Sequence, residues 1–168
     1  MSEKTENLIL RSATPDDAPI LFELIKALAE YENLSHQVVG NVDALKEHLE
    51  GDRPLVEAIL AEVEDRKAVG FALFFQNYST FLTQPGIHLE DIFVLPAYRR
   101  QGIGKALITY LAKLAVQRHC GRMEWAVLDW NEPAIAFYRH LGAEILPDWR
   151  ICRLTDEELS RFASIVDF

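Results

Sequence analysis

The stretch LEDIFVLPAYRRQGIGKALITYL, from Leu89 to Leu111, constrains the fold more than any other part of this sequence. It holds two acids, an apolar run typical of a buried strand, two arginines with two glycines, and the start of a long amphipathic pattern. Glycines between a strand and a helix let backbone N–H groups approach an anion, and the helix dipole favours its charge. The stretch therefore predicts a strand, an anion-binding loop and a helix in that order.

Periodicity along the rest of the chain predicts a single mixed α/β domain over residues 1–168. This length, with 49% hydrophobic residues, is enough for a sizeable core. Asn131 and Pro133 are typical of a helix start, and Gly142 of a helix end. The patterns predict strands over 8–13, 56–63, 68–76, 87–94 and 124–128 and near Ile151, and the second and third of these form a hairpin. They predict helices that begin after 14–17, extend over 42–49, 102–119 and 131–141, and begin at Thr155. In the last helix Glu158 completes a capping box with Thr155.

Composition narrows the class of protein. No run of about 18 apolar residues is present, so we expect no membrane partner and a soluble, cytoplasmic protein. The net charge of −9 argues against nucleic acid as a partner. The two cysteines suggest no disulfide framework. The five histidines show no ligand spacing, so we expect no metal site and histidines that face solvent.

The charges are unevenly distributed along the chain. Between Arg99 and Met123 there are six basic residues and no acid. The rest holds 11 basic residues against 26 acidic ones, a balance of −15. An anionic ligand is expected at one place and cationic ligands elsewhere.

Glycine spacing separates three kinds of nucleotide-binding loop. A dinucleotide-binding fingerprint would need a third glycine at Leu107, and a phosphate-binding P-loop would need glycine at Arg99 and serine or threonine at Ala106. Both patterns are absent. What remains is Arg99-x-x-Gly102-x-Gly104, which on its own also fits an ordinary glycine-containing helix start.

Two motifs together resemble the GCN5-related N-acetyltransferase (GNAT) superfamily. The family writes its acetyl-CoA pyrophosphate loop R/Q-x-x-G-x-G/A, which is similar to Arg99, Gly102 and Gly104. It also carries an Asn-x-x-Ala-x-x-x-Tyr segment on the next helix, matched here by DWNEPAIAFYRHLGA with Asn131 and Tyr138. Nearly the whole chain resembles the branch of diamine, spermidine/spermine and thialysine acetyltransferases.

This resemblance implies a fold, a cofactor and an assembly. The implied fold is a twisted mixed sheet that splays at its fourth strand, with flanking helices and the acetyl-CoA arm in the gap. The implied assembly is a homodimer, and no metal is required.

The resemblance also assigns roles to individual residues. Tyr138 would protonate the departing CoA thiolate, and Glu90 would accept the proton of the incoming ammonium, directly or through water. The implied cofactor-binding residues are Ile92, Phe93, Val94, Arg99, Arg100, Gln101, Gly102, Ile103, Gly104, Lys105, Asn131, Pro133, Ala134 and Tyr138, and the implied substrate-binding residues are Tyr31, Glu32, Glu90, Asp91 and Trp149.

Elementary chemistry suits these roles. A phenol with an ordinary pKa near ~10 is protonated at neutral pH and can donate to sulfur. An alkyl ammonium with a pKa of about 10.4 is less than roughly one part in 10³ neutral at pH 7, so a base must supply free amine. Each residue also has a plainer interpretation. Glu90 and Asp91 could be solvated acids on a strand, Tyr138 a core aromatic, and Tyr31 and Glu32 an exposed helix end.

The sequence thus predicts an acetyl-CoA-dependent N-acetyltransferase that acts on a small cationic primary amine by direct attack. A polyamine, a diamine and a lysine analogue such as thialysine are the acceptor classes. The loop between Gly142 and Trp149 is short and holds two acids, which leaves the acceptor less defined than the reaction. Two alternatives stay open: an N-acetyltransferase of proteins or peptides, and a regulatory module that binds acyl-CoA without turnover.

Overall fold

A computed structural model describes residues 7–165, and the chain divides into two compact units with the boundary between Ala126 and Val127. The second unit holds helices α4 (Glu132–His140) and α5 (Asp156–Ala163). The first unit holds β1 (Ile9–Ser12), α1 (Ala18–Tyr31), α2 (Val42–His48), β2 (Glu57–Val63), β3 (Lys67–Ser79), β4 (Gln84–Val94), α3 (Ile103–Gln117) and β5 (Arg122–Glu124).

The first unit is built on a five-stranded sheet in the order β1-β2-β3-β4-β5. Each of the first four strands pairs antiparallel with the next, whereas β5 joins β4 in parallel. The β2–β3 hairpin is confirmed, and so are the predicted mixed α/β class and the flanking helices. Within residues 7–165 no helix is both long and apolar enough to cross a membrane.

Each face of the sheet carries its own hydrophobic core. Leu21 and Leu24 of α1 pack with Leu60 and Phe71 on one face, which α2 also covers. On the opposite face, α3 contributes the buried side chains of a single helical stripe: Ile103, Leu107, Leu111 and Ala115. A fully buried isoleucine or leucine side chain stabilises a fold by about 1.5–3 kcal/mol. The helix faces predicted from periodicity are therefore the ones that hold the sheet in place.

The fourth strand opens away from its parallel neighbour. Pairing between β4 and β5 covers three positions, Gly86–His88 against Arg122–Glu124. From Leu89 onward, no strand pairs with this edge of β4 in the described part of the chain. The prediction of a sheet that splays at its fourth strand is confirmed by this register.

A β-bulge at Glu90 changes the orientation of β4 at the same place. Leu73 on β3 pairs with Asp91 whereas Phe74 pairs with Leu89, so Glu90 has no cross-strand partner. Before the bulge Leu89 faces the α3 core, and after it Phe93 faces the α1 core. A bulge re-aims side chains in this way because it shifts the two-residue alternation by one position.

Two predicted strands are wrong. The strand predicted over 124–128 is β5, which ends at Glu124, and no strand forms around Ile151. An apolar run becomes a strand only where another strand accepts its ladder hydrogen bonds, and β5 leaves β4 after three residues. Ile151 is instead 74% exposed.

In the second unit, the predicted caps of α4 are confirmed, whereas the capping box predicted for α5 is wrong. The Asn131 side chain caps α4 by accepting a bond from the Ala134 N–H at 3.4 Å, as predicted. Gly142 follows α4 with φ of +88°, a conformation that favours glycine. The capping box predicted for Thr155 is wrong, because Thr155 makes no side-chain bond and Glu158 pairs with Arg161 instead.

Candidate active site

Two carboxylates project from the bulged part of β4. Asp91 is partly buried, whereas Glu90 is exposed. Burial, and after it the neighbouring charges of Glu90 and Glu32, together raise the pKa of Asp91 to about 6. Within residues 7–165 no lysine or arginine side chain forms an ion pair with Asp91. An acid in this state is destabilised when ionised and would gain from a bound cation.

The C-terminal end of α1 lies against the same part of β4. The rings of Tyr31 and Phe93 have centroids 6.2 Å apart. Glu32 follows Tyr31, and partial burial raises its pKa. The structure thus brings together four of the five predicted substrate-binding residues, Tyr31, Glu32, Glu90 and Asp91, on one face of the sheet. Their role in binding stays a prediction.

Arg99 connects this acidic cluster to the glycine loop. Its Nε donates a hydrogen bond to the Val94 carbonyl at 2.8 Å, which ties the loop to the last residue of β4. Its guanidinium lies 4.2 Å from the centre of the Tyr31 ring and 5.3 Å from that of Phe93. The sequence placed Arg99 with the cofactor loop, and the structure packs its side chain on the aromatic residues beside the acids.

The loop from Arg100 to Lys105 leads into the N-terminus of α3. Gly102 is the N-cap residue with φ of +84°, and no side chain caps the helix. The first N–H groups of an uncapped helix have no intrahelical acceptor, and the helix dipole adds positive charge there. Arg100 and Lys105 are exposed beside them. This combination fits a diphosphate group.

The open edge of β4 supplies a second surface suited to a cofactor. Residues Ile92 to Val94 pair with β3 on one side, with Phe71 opposite Phe93. On the other side, no strand within residues 7–165 pairs with them. Backbone groups at such an edge can bind an extended ligand by strand-like hydrogen bonds.

His88 is a residue that the sequence analysis missed. The sequence predicts that this histidine faces solvent, but its Nε2 lies 3.4 Å from Oε2 of Glu90. Its ring also packs on Phe75 with a centroid distance of 4.9 Å. The available signal was the i, i+2 spacing of His88 and Glu90, which puts two side chains on one face of a strand.

The remaining predicted residues lie in the second unit. Tyr138 is a buried residue of α4, with its ring centroid 5.4 Å from that of Phe137. Asn131 and Pro133 form the start of the same helix. Trp149 is 79% exposed. No group of three or more His, Cys, Asp or Glu side chains that could hold a metal ion occurs in the part of the chain that the structure describes.

This chain is similar to known acetyltransferases in sequence and to solved structures in fold. Residues 23–143 match the model of the acetyltransferase (GNAT) family. The chain is 36% identical to an L-ornithine N5-acetyltransferase of Arabidopsis thaliana, over 89% of this chain and 85% of that one. It is 35% identical to the thialysine N-epsilon-acetyltransferase of Mus musculus, over 92% and 96%. An integron cassette protein of V. cholerae superposes with a TM-score of 0.77 at 23% identity, over 98% and 99% of the two chains, which shows a shared fold.

Proposed function

This chain is an N-acetyltransferase that belongs to the GNAT family, and we propose that it transfers acetyl from acetyl-CoA to a primary amine of a small cationic acceptor. One observation carries the proposal. Uncompensated carboxylates stand at the bulge of β4, where the strand edge opens and the glycine loop begins. The names of the two relatives, which act on ornithine and thialysine, support an acceptor of this chemistry.

The acids of the first unit would bind the ammonium groups of the acceptor. With a pKa of about 6, Asp91 is about 90% ionised at pH 7, and no lysine or arginine of the described residues pairs with it. Glu32 adds a second partly buried carboxylate. A chain with a net charge of −9 also attracts cations over a distance.

Glu90 would accept the proton that the amine must lose before it attacks. It is the most accessible acid of the cluster, and its position at the bulge frees it from the β3 ladder. Transfer can be direct or through one water. Asp91 would hold the cation next to it.

The glycine loop would bind the pyrophosphate through Gln101, Gly102, Ile103 and Gly104 with the cations of Arg100 and Lys105. The backbone of Ile92 to Val94 would align the extended arm, with Asn131, Pro133 and Ala134 as further contacts. When bound, acetyl-CoA supplies an activated thioester whose thiolate is the leaving group. Tyr138 would protonate that thiolate.

We further propose a single catalytic domain that works as a cytoplasmic homodimer. The homodimer is the assembly that the resemblance to the diamine and thialysine acetyltransferases implies. Light scattering at several protein concentrations tests the dimer.

The reaction itself is tested by release of CoA thiol from acetyl-CoA with ornithine, thialysine, lysine, putrescine, spermidine, spermine and N-terminal peptides. We expect turnover with small amines and product masses raised by one acetyl group. Preference for the peptides would favour a protein N-acetyltransferase. Bound acetyl-CoA without turnover of any acceptor would favour a regulatory module and contradict the proposal.

A pair of glycine substitutions tests the pyrophosphate loop. Gly102 and Gly51 both have positive φ, and a Cβ at either position would meet open space. Gly102→Ala and Gly51→Ala therefore cost similar backbone strain, about 1 kcal/mol each. We expect only Gly102→Ala to raise KM for acetyl-CoA, by about tenfold, because it alone disturbs the loop. Equal KM values in the two variants would remove the loop from the binding site.

Tyr138→Phe tests the proposed acid. If the hydroxyl protonates the thiolate, kcat falls by about 10² to 10⁴ while KM for acetyl-CoA changes little. Phe137→Leu in the same helix is the control for packing, and we expect it to retain most of kcat. Unchanged turnover in Tyr138→Phe would exclude the residue from the chemistry.

A further inference from the structure

Glu90 is poorly held by the strand that carries it. As the bulge residue it has no cross-strand partner on β3, and its side chain is 55% exposed. A glutamate in this state samples several rotamers. A group that accepts a proton in the transition state works best when it is held at one position, since loss of alignment slows the reaction. Something other than the ladder must therefore orient the Glu90 carboxylate.

The imidazole of His88 is in place to do this. His88 lies opposite Phe75 in the β3–β4 ladder, and the two rings pack with centroids 4.9 Å apart and planes tilted by 30°. This cross-strand pair fixes the ring on the face that carries Glu90. Nε2 of His88 then lies 3.4 Å from Oε2 of Glu90, close enough for a small rotation of the glutamate to complete a hydrogen bond.

The other charged groups around Glu90 are acids or are already bonded to other residues. Asp91 repels the Glu90 carboxylate when it is ionised, and Glu32 adds a further negative charge beside Asp91. On β5, Glu124 stands opposite His88 in register and is already paired with Arg122. Arg99 donates through Nε to the Val94 carbonyl and packs on Tyr31. His88 is thus the potential donor that the structure places next to Glu90.

We propose that His88 is a positioning residue for Glu90. Its Nε2–H group donates a hydrogen bond to the Glu90 carboxylate, which accepts the proton of the acceptor amine. The inference rests on the proposed function, because it gives Glu90 its proton-accepting role. A pair as exposed as this one contributes little to folding stability, so its removal should affect turnover much more than folding.

Two substitutions at position 88 separate the ring from the donor. His88→Phe keeps an aromatic ring against Phe75 and removes the N–H, whereas His88→Gln keeps a donor and removes the ring. Steady-state kinetics use acetyl-CoA with thialysine, ornithine and spermidine, and thermal unfolding checks each variant. His119→Gln, an exposed histidine beyond α3, is the matched control.

We expect His88→Phe to lower kcat about tenfold with KM for acetyl-CoA unchanged. The acid limb of its kcat/KM profile should move to higher pH, because a carboxylate that loses a donor keeps its proton longer. His88→Gln should retain kcat within about threefold. Wild-type kcat and an unshifted acid limb in His88→Phe would overturn the inference.

A double-mutant cycle with Glu90→Gln distinguishes the positioning role of His88 from the proton-accepting role of Glu90. If His88 acts through Glu90, His88→Phe has no further effect once Glu90 is replaced, so the two effects on kcat are not additive. Additive effects would overturn the positioning role alone. If Glu90→Gln itself keeps wild-type kcat, Glu90 is not the proton acceptor, and the inference falls together with that part of the proposed function.

Discussion

Two groups of carboxylates in the first unit differ in one respect, the presence of a cation. Asp17 and Glu62 share Arg11, whose Nη2 lies 2.7 Å from Asp17 Oδ1 and whose Nε lies 2.9 Å from Glu62 Oε1. Hydrogen bonds from Arg11 hold the pKa of Asp17 well below its usual range. Within residues 7–165, neither Asp91 nor Glu32 forms an ion pair with a lysine or arginine, and burial is the largest cause that raises the pKa of Asp91 to about 6.

The difference separates stability from function. A buried acid that keeps its cation stabilises the fold, and removing the cation leaves a costly unpaired charge. An acid buried without a cation weakens the fold at neutral pH and keeps its interaction energy available for a ligand. The Arg11 group should therefore respond to mutation in unfolding experiments, and the Asp91 group in binding and turnover.

Removal of Arg11 should give the largest effect on stability. Arg11→Met keeps much of the aliphatic packing and leaves Asp17 and the buried Glu62 unpaired. We expect the free energy of unfolding to fall by about 3 kcal/mol, the low end for a broken buried pair, because Arg11 is itself partly exposed. Urea unfolding measures this loss. Kinetic constants per folded molecule should be unchanged.

The matched control is Lys46→Met, which removes an exposed pair with Asp16. That change should stay within about 0.5 kcal/mol. Equal losses in Lys46→Met and Arg11→Met would mean that the buried position of Glu62 does not matter.

Asp17→Asn should cost less than the loss of Arg11, about 2 kcal/mol at pH 7. Asp17 accepts two bonds from Arg11 and one from the Thr14 N–H at 2.7 Å. Because its pKa is lowered in the folded state, its contribution is complete above the ordinary aspartate pKa and is lost as the pH falls through and below about 4. Unfolding should show the same gap to wild type at pH 7 and 5 and a narrower gap at pH 3.5 and 3, and a gap that stays constant down to pH 3 would contradict the assignment.

Asp91→Asn should raise the free energy of unfolding at neutral and higher pH, whereas Asp17→Asn lowers it. Its pKa is raised to about 6 in the folded state, so the folded protein binds more protons than the unfolded chain between about pH 4 and 6. Wild-type stability falls as the pH rises through this window, and the variant avoids that loss. We expect Asp91→Asn to be more stable by about 1–2 kcal/mol at pH 8 and equal to wild type near pH 4.

The same substitution should weaken acceptor binding. KM for thialysine should rise by about tenfold, since a buried carboxylate is lost from the cation site. Asp52→Asn, at an exposed position, is the control for both measurements. A destabilised Asp91→Asn at pH 8 would show that Asp91 has a cation partner after all.

Glu32→Gln should give the smallest effect on folding. Glu32 is only partly buried, so we expect less than about 0.5 kcal/mol change in stability and a three- to fivefold rise in KM for the amine. Glu30→Gln, on an exposed face of the same helix, supplies the comparison. If both variants raise KM equally, general attraction by negative charge explains the effect, and Glu32 has no specific place in the site.

Much of the fold could be predicted because its determinants are local. The apolar stripe of α3, the Asn131 cap and Gly102 at the start of α3 each depend on residues within one or two turns. The order of acids, strand, loop and helix in residues 89–111 likewise follows from local patterns. The candidate site residues on β4 and at the end of α1 were found from sequence motifs, and their meeting on one face of the sheet was not.

How these pieces meet depends on the packing of the whole chain. The end of β5 at Glu124, the bulge at Glu90 and the packing of Arg99 on Tyr31 depend on strand register and on residues far apart in the sequence. The pairing of His88 with Glu90 needed the same register, because Phe75 of another strand holds the imidazole. The helices and strands, the glycine loop and the kinds of reactive side chain follow from the sequence alone, since these depend on short-range propensities. Which acids keep a cation and which stay available for one depends on long-range packing, which local patterns do not encode.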